Sequence, residues 1–382
     1  MNICIVAVGA SALIETESIV GTWKTGTRAG LVALTTHYVG SDTLSQDDWP
    51  GIFRSIFASD FVLLDTMGVP AAFDEALTEG LAGYKGQLAV VNATSLAVRS
   101  MTRLGRFSLS MMKSMGRKDK PFDAGRMMKM VDRLERLGRA LPVGPLRDMR
   151  NFFWISRYWL AGGRGNLENM LLLIGREYFG CKKLPKPAAP VAVADCSILD
   201  PAGGRIFKSI AEFHRAYPPA ADKPGLGLLF RSRPYPLNTH PVMARVMASL
   251  SRHFNVLPVA LDSTVGRDFN KLRNLLAPPG RPAIDVLVNP ESFRLAQGPL
   301  GGDAAAGERF LRALDVPVLH PFFLTKRTRE QWLSDARGAG TGEFLISIFL
   351  PELDGCLDMY PIGAVATLQH MTPQLGPIED RI

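Results

Sequence analysis

The stretch LFRSRPYPLNTHP, residues 229–241, sets Arg231, Arg233, Asn238 and His240 between an apolar strand-like run and a helix-like one. Two guanidiniums, an amide and an imidazole at such a junction suit an anion. Arginine supplies planar, charge-assisted hydrogen bonds, and a helix start adds free backbone N–H groups. The carboxyl end of a strand in an open α/β sheet is also where ligands of such folds bind. The same residues can instead form a solvated loop with a polar helix cap. PELDG, residues 351–355, spaces Glu352 and Asp354 two apart. Paired carboxylates do acid–base work or hold a hard metal, whereas L-D-G is first of all a turn signal. His320 beside Pro321, and the Asn289–Pro290 pair, each end an apolar run and read either as pocket residues or as structural ones.

Other chemistry is missing from the pattern. Cys4, Cys181, Cys196 and Cys356 are dispersed, with no C-x-x-C pair, and the six histidines lack the i, i+4 spacing of a helical metal pair. Neither a metal site nor a catalytic residue is assigned. Unpaired, scattered cysteines fit a reducing cytoplasm. No apolar run reaches the ~18–20 residues of a membrane span, and MNICIVAVGA enters a first strand without a basic leader, so neither a transmembrane segment nor a signal peptide is expected.

The elements that would position these residues follow from periodicity. ICIVAV (3–8), LVALTTHY (31–38), FVLLD (61–65) and QLAVVN (87–92) are short apolar runs, separated by amphipathic stretches around Ile14–Trp23, Trp49–Ala58 and Ala71–Leu81. The alternation resumes with GLGLLF (225–230), NVLPVAL (255–261), IDVLVN (284–289) and VPVLHP (316–321), with a helix over Pro241–Phe254 capped by Asn238 or Thr239. Apolar runs alternating with helices predict parallel sheets covered on both faces. The fold class is therefore α/β, with two doubly wound, Rossmann-like domains. No G-x-G-x-x-G follows the first strand, so a dinucleotide fingerprint is absent. The domains read as 1–98, a basic helical insert over 99–183, a Pro/Ala-rich linker over 184–192, and a second α/β domain over 193–382. The apolar segment 343–363 closes that second domain.

The insert carries the charge. Between Arg99 and Arg150 lie 14 Lys/Arg and 5 Asp/Glu, a surplus exceeding the net +8 of the 382-residue chain. Aromatic residues for stacking are sparse there (Phe107 and Phe122), so nucleic acid is not expected. An anionic membrane surface, a flat polycarboxylated apolar molecule, and a plain helix with solvated charges remain open. After the insert, YWLAGGRGNLENML (158–171) reads as two helices joined at a glycine turn, with Asn166 as the second helix's N-cap.

Taken in order, VNATSLAVRSMTRLGRFSL, the basic insert, YWLAGGRGNLENMLLLIGREYFG, LLFRSRPYPLNTHPV, NVLPVALDS, IDVLVNPESF, LDVPVLHPFF and ISIFLPELDGCLDMYPIG resemble successive blocks of one family. It is the large subunit of tetrapyrrole metal chelatases, which includes the H-type subunit of magnesium chelatase and the CobN subunit of cobalt chelatase. The resemblance runs from about residue 90 onward, and more weakly before it. It implies insertion of Mg2+ or Co2+, as substrate, into a porphyrin or corrin, driven by ATP on separate AAA+ subunits, with no cofactor bound by this chain. Family members are far longer, so a separate chain carrying the C-terminal chelatase body is an expected partner, and no catalytic residue is carried over. Tetrapyrrole contacts are expected at Arg231, Arg233, Asn238 and His240, then at Arg103 and Arg106. The alternatives are a non-catalytic tetrapyrrole-binding or scaffold protein that docks on a chelatase and, on fold analogy alone, a two-domain glycosyltransferase-like enzyme.

Overall fold

The computed structural model describes the chain apart from residues 24–29, 41–43, 111–143, 192–195, 203–204, 232–240, 262–267, 279–283, 291, 293, 299–300, 337, 339 and 370–371. Most of the basic insert thus lies outside the described residues. Contacts divide the chain into two units, 1–192 and 193–382.

In the first unit β1 (Asn2–Ala7), β2 (Ala33–Tyr38), β3 (Phe61–Thr66) and β4 (Gln87–Ala93) are parallel, in the order β2-β1-β3-β4. Two antiparallel stubs, β5 (Arg103–Leu104) and β6 (Phe107–Ser108), extend the β4 edge. Side chains on a strand alternate between faces, so both must be apolar for both to be covered. Ile3, Ile5, Phe61 and Leu63 share one core cluster, and Cys4, Val6, Val62 and Leu64 share another. Helices Trp49–Phe57 and Ala71–Gly80 supply apolar residues to the second cluster. Helix Ala10–Thr22 and the two around the glycine turn, Pro145–Ala161 and Arg164–Tyr178, supply the first. The described part of 99–183 accordingly contributes to the first unit's own core.

The turn needs its glycines. Gly162 and Gly163 sit at φ +64° and +80°, in the half of backbone space that L side chains rarely adopt. The second helix starts at Arg164, so Asn166 is not its N-cap as expected but stands inside the first turn. Its amide donates to Gly162 O at 2.9 Å and to Val191 O at 2.7 Å, and its Oδ1 accepts from Val191 N at 2.9 Å. Asn169 Oδ1 accepts from Ala188 N at 2.7 Å, and the Tyr158 hydroxyl donates to Ala188 O. The Pro/Ala-rich stretch is therefore strapped along this helix by side chains, which replace the partners a segment poor in N–H groups cannot find in a ladder.

The second unit has eight strands in the order β16-β15-β14-β11-β9-β10-β7-β8. These are β7 (Ser197–Leu199), β8 (Ile206–Phe207), β9 (Gly225–Arg231), β10 (Asn255–Leu261), β11 (Val286–Val288), β14 (Val318–Leu324), β15 (Leu357–Gln369) and β16 (Thr372–Pro377). A small hairpin, β12 (Gln297–Gly298) with β13 (Gly301–Gly302), stands apart. The central five are parallel and the edge strands β7, β8 and β16 are antiparallel. The fold is α/β in both units, with mixed rather than wholly parallel sheets. Helices Pro241–Leu250, Phe269–Leu276 and Ala304–Leu314 pack on it. The first ends at Leu250, before the expected Phe254, and its expected caps lie outside the described residues.

Trp159 ties the glycine-turn helices to the first sheet. Its ring is fully buried, and Nε1 donates at 2.8 Å to Asp65 Oδ2 at the carboxyl end of β3. Trp159→Phe keeps most of the apolar area but removes the donor from a buried carboxylate. The expected loss of stability is about 1–3 kcal/mol, read as a lower urea midpoint by circular dichroism.

Candidate functional site

Five adjacent strands of the second sheet, β10-β9-β11-β14-β15, are numbered 2-1-3-4-5 by chain order. The chain leaves β9 toward β10 on one side and returns to β11 on the other. In doubly wound sheets the crevice outside the carboxyl ends at that reversal holds the ligand. Here it lies between Arg231, the last residue of β9, and Asn289, which follows β11. The backbone thus brings Arg231 to the switch point. Arg233, Asn238 and His240 lie outside the described residues, as does the Arg231 side chain.

The floor beside β11 is built from buried polar groups. Asn289 is buried, and its N–H donates to Leu319 O at 2.9 Å. His320 follows on β14 and is wholly buried. Burial pushes its imidazole down to about 4, against the opposing influence of backbone groups at Asn289 and Ser347. Neither ring nitrogen makes a hydrogen bond of normal geometry with a described residue. His320 is therefore a neutral, enclosed imidazole at physiological pH. Ser347 is buried too, with its hydroxyl 3.4 Å from that of Ser292.

Two carboxylates close the surroundings, each with its own arginine. Asp354 accepts from Arg294 Nε at 2.6 Å and from Leu295 N at 2.7 Å, which pins the loop after β11 to the segment before β15. Glu343 is paired with Arg327 Nε at 3.0 Å, and Arg327 also reaches Asp335 at 3.3 Å. Glu352 is exposed, so PELDG forms no carboxylate pair. Asp354 is an internal tie, reached because Gly355 turns the chain at φ +77°. Glu343, Arg294, Arg327 and Ser347 were not singled out from the sequence. The signal for Glu343, Ser347 and Arg294 was a charged or polar residue embedded in apolar surroundings, as in GEFLISIF and ESFRLAQ, whereas Arg327 stands in the polar run TKRTRE and carries no such signal.

Arg103 and Arg106 stand in the first unit. Arg103 Nε donates to Gly86 O at 3.1 Å and its guanidinium lies 5.4 Å from the centroid of the Tyr84 ring. Arg106 is exposed, and its backbone N–H donates to Asp148 Oδ2 at 2.8 Å. Burial holds the Cys4 and Cys356 thiols up at about 12, so neither is a thiolate nucleophile. Among the described residues no three His, Cys, Asp or Glu side chains group around a metal position, and no helix is long and apolar enough to cross a membrane.

Two outcomes follow for the floor. His320 binds its proton more weakly folded than unfolded, so its share of stability is fully present above pH 6.5 and is lost as pH falls toward 4. The fall should reach roughly 3 kcal/mol, and His320→Gln should flatten it in urea midpoints taken from pH 7.5 to 4.5. Asp354→Asn leaves Arg294 without its counter-charge and should cost about 2 kcal/mol or more, measured the same way at pH 7.

Residues 156–382 match the CobN/Magnesium Chelatase family. The chain is 27% identical over 288 residues to magnesium-chelatase subunit ChlH, chloroplastic, of Oryza sativa subsp. indica, which covers 68% of this chain and 20% of that protein. It is 28% identical over 293 residues to the H-type subunit of magnesium chelatase from Rhodobacter capsulatus, covering 73% of this chain and 24% of that one. In fold it is similar to the catalytic subunit of cobaltochelatase from Mycobacterium tuberculosis, with a TM-score of 0.52 and 16% identity over all of this chain and 26% of that one. The chain thus spans about a fifth to a quarter of the length of these relatives. With more than half of its residues matched, the chain belongs to the CobN/magnesium chelatase family.

Proposed function

We propose that this chain is part of, or a short homologue of, the tetrapyrrole-binding large subunit of an ATP-dependent cobalt or magnesium chelatase, acting in the cytoplasm. Its task would be to hold a porphyrin or corrin while Mg2+ or Co2+, the substrate metal, is inserted. ATP would be hydrolysed on AAA+ partner subunits. The observation carrying this reading is that the family match takes in the whole second unit, including its switch-point crevice. A macrocycle with carboxylate arms needs an apolar slot rimmed by cations. Arg231 closes β9 beside that crevice, and Arg233, Asn238 and His240 follow it in sequence. Arg103 and Arg106 are second choices.

A second reading of the same family match is a non-catalytic tetrapyrrole-binding or scaffold component that docks on a chelatase.

The test is a titration of the chain with a metal-free porphyrin and with a metal-free corrin precursor, following ring absorbance and tryptophan quenching. Saturable micromolar binding of one ring is expected. The double variant Arg231→Ala, Arg233→Ala should weaken it about tenfold or more, as each charge-assisted hydrogen bond contributes about 1.5–3 kcal/mol, while the circular dichroism stays unchanged. Unchanged affinity in the folded variant removes these arginines. No binding of either ring by the folded chain leaves the docking role.

A further inference from the structure

The first unit holds a cavity of about 490 Å³ at the amino ends of β3 and β4, the edge of the sheet opposite Asp65 and Trp159. That volume falls in the range of small-molecule sites, about 300–1,000 Å³. Four aromatic rings from separate parts of the chain line it: Phe57, Tyr84, Tyr178 and Phe179. Phe57 and Tyr84 meet edge to face, with centroids 5.9 Å apart and planes at 87°, yet Phe57 stays 50% exposed. A half-covered ring at the mouth of an aromatic cavity suits a further ring, since aromatic pairs gain from edge-to-face and offset contact. The floor is held low by Gly86, where a Cβ would collide with the Tyr84 ring and with Asp60 O.

Asp60 and Lys85 also line the cavity, and both are exposed. Phe61 pairs with Gln87 in parallel register, so the residues just before them leave neighbouring strands, which lie about 4.8 Å apart. Opposite charges thus stand side by side. Among the described residues neither is in an ion pair, with the other or with a third group. Asp60 Oδ2 accepts from Asn2 N at 3.1 Å, which leaves Oδ1 for another donor. Helices Trp49–Phe57 and Arg164–Tyr178 end at cavity residues, and the last carbonyls of a helix favour a cation. Arg103, however, already lies against the Tyr84 ring. A bare cation is therefore poorly served, and a molecule bearing both signs is the better match.

We propose that this cavity binds a free aromatic α-amino acid. Its side chain lies against the four rings, its ammonium meets Asp60 and the helix ends, and its carboxylate meets Lys85. The match is one of spacing as well as type, because an α-amino acid carries its two charges on either side of a single carbon. A tetrapyrrole is a poorer occupant, since its carboxylate arms bring no cation for Asp60. The site belongs wholly to the first unit and does not rest on ring binding at the switch-point crevice of the second.

The test is isothermal calorimetry of the chain with L-phenylalanine, L-tyrosine, L-tryptophan and, as an aliphatic control, L-leucine. At least one aromatic amino acid is expected to bind saturably, and L-leucine about tenfold more weakly, since it forgoes the ring contacts. The deaminated and decarboxylated analogues of the amino acid that binds should each be about fivefold weaker, because each lacks one charge-assisted contact. Asp60→Asn keeps an oxygen for Asn2 N, and should weaken the amino acid by a similar factor while leaving the deaminated analogue unchanged. Lys85→Gln should weaken it likewise and spare the decarboxylated analogue. Both positions are exposed, so both variants should keep the parent's circular dichroism. Failure of all three aromatic amino acids to bind the folded chain would overturn the inference. So would equal binding of L-leucine, or unchanged affinity in both folded variants. A failed ring titration would leave it standing.

Discussion

The constraint on which both units depend is that a parallel strand is buried on two faces at once. Its residues cannot be half solvated, so each sheet demands an apolar cover above and below. In the first unit the odd-numbered residues Ile3, Ile5, Phe61 and Leu63 would face water without helices Pro145–Ala161 and Arg164–Tyr178. Those helices can lie side by side only because Gly162 and Gly163 reverse the chain in a conformation closed to other residues. The glycine turn is thus a requirement of the sheet rather than a local ornament, and the strapped segment after it holds the second helix in place.

Polar groups obey a matching rule. Every buried carboxylate described in the switch-point surroundings is met by a donor from a distant part of the chain: Asp354 by Arg294 and the Leu295 amide, Glu343 by Arg327. Unpaired, such charges would cost far more than their pairing returns, so the pairs fix register more than they add stability. They set where the loop after β11 and the segment before β15 can lie, and hence the outline of the crevice. Chemistry there is left to groups at its rim, because the enclosed imidazole of His320 is neutral and the carboxylates are already engaged.

Much of this was legible in the sequence. Four of the five central strands of the second sheet and the helices around the glycine turn fall within a few residues of their expected places, because apolar alternation is a strong signal when a strand is buried on both sides. The fifth, β15, was read only as part of the apolar segment 343–363, and edge strands β7, β8 and β16 were not read. Asn166 was misplaced as a cap: its residue type marks a helix start, but nothing local shows that Val191 comes back to meet it. For the same reason Asp354 looked like a turn residue or half of a carboxylate pair. Its partner is sixty positions away in sequence, and only the sheet brings them together. Of the expected contact residues, the structure locates Arg231 at the switch point through its backbone, and puts Arg103 against Gly86 and Tyr84.

The indole of Trp159 sits beside the strand where the first sheet's topology has its reversal. Both sheets share a 2-1-3-4 strand order, and so each has a reversal where a doubly wound fold offers room for a guest. In the first unit Asp65 stands next to last on the strand beside that reversal, and the chain's own Trp159 side chain has taken the place beside it. What would be a vacancy has become part of the interior. Two halves alike in topology therefore need not be alike in use: at the carboxyl end of the first sheet a substitution at Trp159 or Asp65 is felt as weakened folding.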